Sequence, residues 1–342
     1  MKAIELAEKG LVPDWLIRRG IRALLERRLS EEHGDDPQAQ SERYRSLLDD
    51  LTGSAIAIET DAANTQHYEV PAAFYEQVLG HRLKYSSALW PAGIDNLDDA
   101  ETVMLEQTCR NAGLVDGQDV LELGCGWGSL TLWMASNYPD SRITAVSNSA
   151  SQRRHIESRA LELGLGNIRV ITCDVNELEL EGQFDRVVSV EMFEHVRNYR
   201  RLLERIAGWM KPDARLFVHI FCHRFLAYPF EIEGPGNWMG RHFFTGGLMP
   251  AADTLLHFAD DVVIERRWLY AGTHYRRTAR AWLDNLDAHS VEVGRILRAT
   301  HGEDAALWRQ RWRIFFMACE ELFGFDGGRQ WLVGHFRFRK HR

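Results

Sequence analysis

From residue 119 onward, short apolar runs alternate with longer amphipathic segments. The run 119–124 (DVLELG) precedes 129–138 (SLTLWMASNY), and 142–147 (RITAVS) precedes 150–164 (ASQRRHIESRALELG). Then follow 168–174 (IRVITCD), 184–191 (FDRVVSVE), 199–210 (YRRLLERIAGWM) and 214–221 (ARLFVHIF). Strand, helix, strand, helix predicts an α/β chain with a doubly wound, Rossmann-like sheet. Ligands of such sheets bind beyond the carboxyl ends of the strands, which is where the polar and glycine-rich motifs of this chain fall.

The flanking regions read differently. Residues 1–50 carry Leu11, Trp15, Leu16, Ile21, Leu24 and Leu25 near helical spacing, with Asp14 a candidate cap; 30–42 (SEEHGDDPQAQSE) reads as a loop. Further helices are predicted over 71–80, with Pro71 in the first turn, and over 97–112. The expected division is an N-terminal helical cap and cofactor-pocket segment at 1–115 and a core at 116–342. Residues 224–258 break the alternation with a Phe-, Trp-, Gly- and Pro-rich stretch, predicted to be an inserted substrate lid. Helices around 278–299 and 304–322 and a last strand at 331–340 (WLVGHFRFRK) complete the reading.

Composition removes several classes. Net charge is −8 and no long basic run exists, so a nucleic-acid partner is not expected. Five cysteines, odd in number and without a C-x-x-C pair, predict neither a disulfide framework nor a metal site, and fit a reducing cytoplasm. The first residues lack the apolar core of a signal peptide, and no apolar run reaches membrane-spanning length. The arginines at 18, 19, 22, 27 and 28 leave contact with a lipid surface as an alternative to a plain helical cover.

The glycine-rich turn Glu122-Leu123-Gly124-Cys125-Gly126-Trp127-Gly128 follows a predicted strand and opens a helix. A dinucleotide site wants G-x-G-x-x-G with an acid about 20 residues later. Here the spacing is G-x-G-x-G, and the acid precedes the first glycine. A carboxylate for an ammonium and backbone amides for a carboxylate match the methionine end of S-adenosyl-L-methionine. At the second strand's end, Ser147, Asn148 and Gln152 offer hydrogen bonds to a ribose; at the third, Asp174, with Val175 beside it, can accept from an adenine amino group or cap a helix. The plainer alternative for the turn is tight strand–helix packing.

These residues carry a likeness. LELGCGWGSL, SNSASQ, EMFEH, FVHIFCH and the upstream HYEVPAAFYEQVLGHRLKYSSALW resemble the cyclopropane-fatty-acid synthase family of methyltransferases. GLVPDWLIRRGIRALLERRL, WMKPDARLFVHIFCH, FFTGGLMP, HFADDVVIERRWLYAGTHY, WRIFFMACEELFG and WLVGHFRFRK look like its coclaurine N-methyltransferase branch. The resemblance implies a class I methyltransferase sheet, an N-terminal helical cap, and a cofactor pocket that includes Lys84, Tyr85 and Ser86.

Glu191-Met192-Phe193-Glu194-His195 follows the fourth strand. Two carboxylates and an imidazole suit proton removal from an amine, which at a pKa of about 10 is only ~0.1% neutral at pH 7. The resemblance implies that Glu191, Glu194 and His195 line the substrate site, Glu194 and His195 serving as base and anchor; Glu191 alternatively orients the cofactor, and His195 alternatively packs on the next helix. On the cyclopropane-synthase branch, residues matching Glu194, His219 and Tyr275 would hold a bicarbonate, but Ser87 stands where that branch has a cysteine. His219, inside LFVHIF, also reads as a buried core histidine. Trp238, Phe243, Phe244, Tyr228 and Tyr275 form either an aromatic wall for the substrate or core packing. The expected function is N-methylation of a small cyclic or aromatic amine. The alternatives are methylation or cyclopropanation of an unsaturated acyl chain on a membrane phospholipid, and a cofactor-binding protein without turnover. A homodimer is the default assembly.

Overall fold

The apolar runs pair into one sheet. A computed structural model describes residues 3–33, 36–58, 70–234 and 236–341. Its strands are β1 (Asp119–Leu123), β2 (Arg142–Ser147), β3 (Ile168–Thr172), β4 (Phe184–Val190), β5 (Met210–His223), β6 (Tyr228–Pro229), β7 (Leu248–Met249), β8 (Val262–Tyr270) and β9 (Trp331–Lys340). Among the described residues the main sheet has seven strands in the order β3-β2-β1-β4-β5-β9-β8. The first five run parallel; β9 is antiparallel to both β5 and β8. The order reverses beside β1 and β4, which opens a crevice at their carboxyl ends.

The helices are α1 (Ala3–Glu8), α2 (Asp14–His33), α3 (Pro37–Gly53), α4 (Ala72–Val78), α5 (Leu97–Ala112), α6 (Ser129–Asn137), α7 (Ala150–Glu162), α8 (Tyr199–Trp209), α9 (Trp238–His242), α10 (Gly272–Ala288), α11 (Ser290–His301) and α12 (Ala305–Gly324). Their ends follow local chemistry. The Asn96 side chain accepts from the Asp99 amide to start α5, and Gly113 at φ 69° ends it. Ser149 and Asn198 cap α7 and α8 in the same way. α8 then buries Leu202, Leu203 and Ile206 in a cluster with Leu216 and Val218 of β5.

A second apolar cluster builds a cover over the carboxyl edge of the sheet. Phe74 and Tyr75 of α4, Tyr275 and Trp282 of α10, and Trp312 and Phe316 of α12 are its large side chains. Burying each aromatic side chain contributes about 1.5–3 kcal/mol. The cover thus combines helices from both ends of the chain, tied by Arg18 to Glu320 (2.7 Å) and by Arg313 to Asp14 (2.8 Å) and Asp287 (2.7 Å).

The structure departs from the sequence reading in three places. Most of the loop expected at 30–42 is helix: α2 runs to His33, and Asp36 accepts from the Gln38 amide (2.9 Å) to start α3 at Pro37; residues 34 and 35 lie outside the described residues, as do 67–69 of the HYEV segment. The helix expected at 278–299 is two, α10 and α11, with His289 between them. Strand β8 was not anticipated; its Glu265-Arg266-Arg267 centre masks the alternation. Of the five α2 arginines, Arg18, Arg22, Arg27 and Arg28 pair with glutamates, which removes most of the basic face offered to a lipid surface. No helix among the described residues is long and apolar enough to cross a membrane.

Candidate active site

Two adjoining chambers, of about 940 and 730 Å³ including their mouths, lie along the carboxyl edge and share Gly124, Gly126, Gln152 and His195. The glycine turn divides them. Gly124 (φ 78°) and Gly126 (φ 52°) adopt left-handed backbone, and the Gly124 and Cys125 amides both donate to the Val146 carbonyl of β2 at 3.0 Å. Gly128 does not line either chamber. It starts α6, where a Cβ would lie 2.6 Å from Ile156, so its role is close helix packing.

Glu122 is buried at the end of β1 and accepts from the Thr131 hydroxyl at 2.5 Å. Burial lifts its carboxyl to about 8, with Thr131 opposing the shift. Gln152 accepts from the Ser147 hydroxyl (2.5 Å), while its Nε2 and the Ser129 hydroxyl, both facing the first chamber, are buried without a hydrogen-bond partner. Ser147, Asn148, Asp174 and Val175 line the second chamber. Asp174 also accepts from the Asn176 amide (2.7 Å), so it caps its own turn while facing the cleft. Tyr85 and Ser86 line the first chamber beside Lys84. The unpartnered buried donors of Gln152 and Ser129 and the buried acid Glu122 fit an amino-acid head group joined to a nucleoside.

Glu191 ends β4 with φ 47°, a left-handed conformation that costs a non-glycine residue about 1–2 kcal/mol. Its amide donates to the His219 carbonyl (2.8 Å), and the turn brings its carboxylate back against β5 and α10. There the Ser87 amide (2.9 Å) and the Tyr275 hydroxyl (2.6 Å) donate to it, and His219 Nε2 lies 3.2 Å away. Burial raises its pKa, and Lys84, Tyr275 and Ser87 pull it down. Lys84 is 3% exposed, donates to Ser86 Oγ (2.5 Å) and the Ser87 carbonyl (2.8 Å), and is lowered by burial to about 8. Glu194, in the turn Phe193–His195, is 1% exposed, and neither carboxylate oxygen has a hydrogen-bond partner. Burial first, then the charge of Glu191, raises it well above the usual carboxylate range.

The structure therefore brings Glu191, Glu194 and His195 to one chamber, but His219 and Tyr275 hold Glu191 rather than joining Glu194. The place expected for an exogenous anion is taken by the chain's own carboxylate. The aromatic wall also differs in membership. Phe244, Tyr275, Phe221, Phe315 and Trp282 line the chamber, and His195 stacks on Phe244 (centroids 5.7 Å, planes 4° apart). Trp238 and Phe243 face away: Trp238 donates to Glu8 (3.0 Å), and Phe243 stacks on Phe315 at 4.2 Å. Tyr228 is likewise core, accepting from Trp331 at 3.0 Å. Sequence reasoning did not single out Phe221, Phe315, Trp282 or His335; an inward position on a strand or helix is the signal each carried.

A parallel sheet of this order, a single reversed strand, β9, set between β5 and β8, and a glycine turn after β1 define a class I methyltransferase. The sequence model described as "Mycolic acid cyclopropane synthetase" matches residues 57–327. The chain belongs to that family, and it is an S-adenosyl-L-methionine-dependent methyltransferase. It is 37% identical to (S)-coclaurine N-methyltransferase of Papaver somniferum over 97% of this chain and 96% of that one. It superposes on a coclaurine N-methyltransferase bound to N-methylheliamine and SAH with a TM-score of 0.95, 35% identity and 98% of each chain covered. The cyclopropane synthase MmaA2 from Mycobacterium tuberculosis shares the fold at a TM-score of 0.70 and 20% identity, over 84% of this chain and 100% of that one.

Proposed function

We propose that this enzyme methylates the nitrogen of a small cyclic or aromatic amine. The observation that carries the reading is Glu194: a buried carboxylate with two unpartnered oxygens, in an aromatic-lined chamber that adjoins the cofactor cleft. The relatives named for coclaurine N-methylation, and the solved one holding N-methylheliamine and SAH, support it.

When bound, S-adenosyl-L-methionine supplies an electrophilic methyl group. Glu122 and the Ser129 hydroxyl would hold the amino-acid end, and Ser147, Asn148, Gln152, Asp174 and Val175 would hold the nucleoside. Burial and the Glu191 charge raise the Glu194 pKa; an arriving ammonium brings the opposite charge that lowers it, so that any proton on Glu194 leaves to solvent, and the resulting carboxylate takes the ammonium's proton and frees the nitrogen lone pair. Glu191, fixed by Ser87, Tyr275 and His219, supplies a stationary negative charge for the cation, and His195 anchors it. The aromatic side chains fix the ring and exclude water; such alignment supplies roughly 7–11 kcal/mol of the barrier reduction.

The test is SAH release measured in parallel with tetrahydroisoquinolines, other small amines and unsaturated phospholipid vesicles. Turnover is expected with an amine. Turnover with vesicles alone would overturn the reading in favour of a lipid acceptor.

Glu122 gives a second expected outcome. Its carboxyl, near 8 in the free enzyme, must ionise to pair with an ammonium. SAH binding should therefore release a proton at pH 7 and tighten as pH rises from about 6 to 8, by at most about tenfold per unit. Calorimetry in buffers of different ionisation heat reads this directly; an affinity flat across that range would remove Glu122 as the ammonium's partner.

A further inference from the structure

Glu191 heads a line of hydrogen bonds that runs away from the cleft through the sheet. His219 Nε2 lies 3.2 Å from its carboxylate, and His219 Nδ1 lies 2.9 Å from His335 Nε2. The two histidines are register partners across β5 and β9, and both are 0% exposed. His335 Nδ1 lies 2.9 Å from Asn111 Nδ2, which also donates to the Tyr270 hydroxyl at 3.0 Å. Asn111 Oδ1 accepts from Gln107 Nε2 at 2.8 Å. Four elements thus meet: α5, β5, β8 and β9.

The line has a direction. An amide nitrogen donates and does not accept, so His335 Nδ1 facing Asn111 carries no proton. The His335 proton is then on Nε2 and points at His219 Nδ1, which must accept. That leaves the His219 proton on Nε2, aimed at the Glu191 carboxylate. Burial holds both imidazoles neutral, assisted at His335 by His219 and at both by Lys84. Two neutral, touching imidazoles must share one tautomer, and Asn111 selects it.

We propose that His335 is a positioning residue for methyl transfer: with Asn111 it fixes the His219 tautomer, so that His219 always presents an N–H to Glu191. None of His219, His335 or Asn111 lines the cleft chambers, so the effect passes entirely through Glu191. The other groups facing that carboxylate are Lys84, Tyr275 and the Ser87 amide, with Glu194 in the turn beyond and Cys319 of α12 behind Tyr275. Oε1 takes the Ser87 amide (2.9 Å) and His219 (3.2 Å), so His219 is its side-chain partner and Ser87 its backbone one.

The first test uses the unaltered enzyme with SAH bound. In long-range proton–nitrogen spectra of ¹⁵N-histidine-labelled protein, the two resonances missing from His219→Gln and His335→Gln should both report neutral rings protonated on Nε2 from pH 6 to 9. A ring protonated on Nδ1, or an imidazolium, would overturn the proposal. The kinetic test rests on the amine reading only for its choice of acceptor, and is run with whichever acceptor turns over. His335→Leu removes the donor to His219, lets the His219 proton leave Nε2 and weakens the support of the Glu191 anion. The acid limb of kcat/KM, which belongs to the coupled Glu191 and Glu194 pair, should move up by about one pH unit. SAH affinity should stay within about twofold, since no direct cofactor contact is lost. His335→Gln, whose amide can still donate toward His219, should move the limb back. An unshifted limb in folded His335→Leu would overturn the proposal; if that variant does not fold, the tautomers of the unaltered enzyme decide.

Discussion

Glu194→Gln is expected to lower kcat/KM for an amine of pKa near 10 by about 10²- to 10⁴-fold, the range that a positioned base supplies. The substitution keeps the shape of a side chain that is 1% exposed, and removes its ability to take a proton together with its negative charge. Both carboxylate oxygens lack partners, so no existing hydrogen bond is broken. The size of the loss should depend on the acceptor. An amine of pKa near 5 is ~99% neutral at pH 7 and needs no base, so its loss should stay under about tenfold. Parallel kinetics on amines of graded basicity, with SAH affinity as control, read the trend. An equal loss for all of them would mean that Glu194 orients the acceptor and does not deprotonate it.

Gly124→Ala should be the most damaging single methyl in the cleft. Gly124 has φ 78°, and a Cβ there would lie 2.8 Å from both Cβ and Cγ of Met192. The left-handed conformation costs alanine about 1–2 kcal/mol. The clash then displaces Met192, which stands between Glu191 and Glu194. We expect SAH affinity to fall at least tenfold, roughly the equivalent of that strain, and kcat to fall by about 10²-fold from misplacement of the carboxylates. Gly126→Ala is the matched comparison. Its φ is 52°, but no protein atom lies within 4 Å of the added Cβ. It should weaken SAH binding through occupied cofactor space and leave kcat at saturating cofactor near the parent value. If the two variants behaved alike, contact through Met192 would not be what couples the glycine turn to the carboxylates.

Much of this architecture was legible in the residues. The runs RITAVS and WLVGHFRFRK coincide with β2 and β9, and LDDAETVMLEQTCRNA with α5, because each buries a continuous apolar face between clear stop signals. β8 was hidden because it is an edge strand with one fully buried residue, Val262, and a charged centre. The break at His289 carries no proline or glycine to announce it. Within the site, local motifs placed Glu122, Gly124, Glu191 and Glu194 at strand ends, and strand ends converge in this fold. The aromatic lining was not legible. Neighbouring Phe243 and Phe244 point to opposite environments, one into the cover and one into the chamber, and composition cannot separate them. Nor could spacing show that His219 and His335, 116 residues apart, would face each other across two antiparallel strands.

The place of β9 bears on how the protein is made. The last strand described lies inside the sheet, with β5 on one side and β8 on the other. While the ribosome is still extending the chain toward residue 340, β5 has a bare edge carrying Leu216, Phe217, Val218 and Ile220, and such edges recruit other chains. The nascent polypeptide must therefore be shielded until β9 has emerged and paired with β5. A premature stop near residue 330 would leave every residue of the glycine turn and of the Glu191–His195 segment in place, and would still yield an aggregate rather than a weakened enzyme.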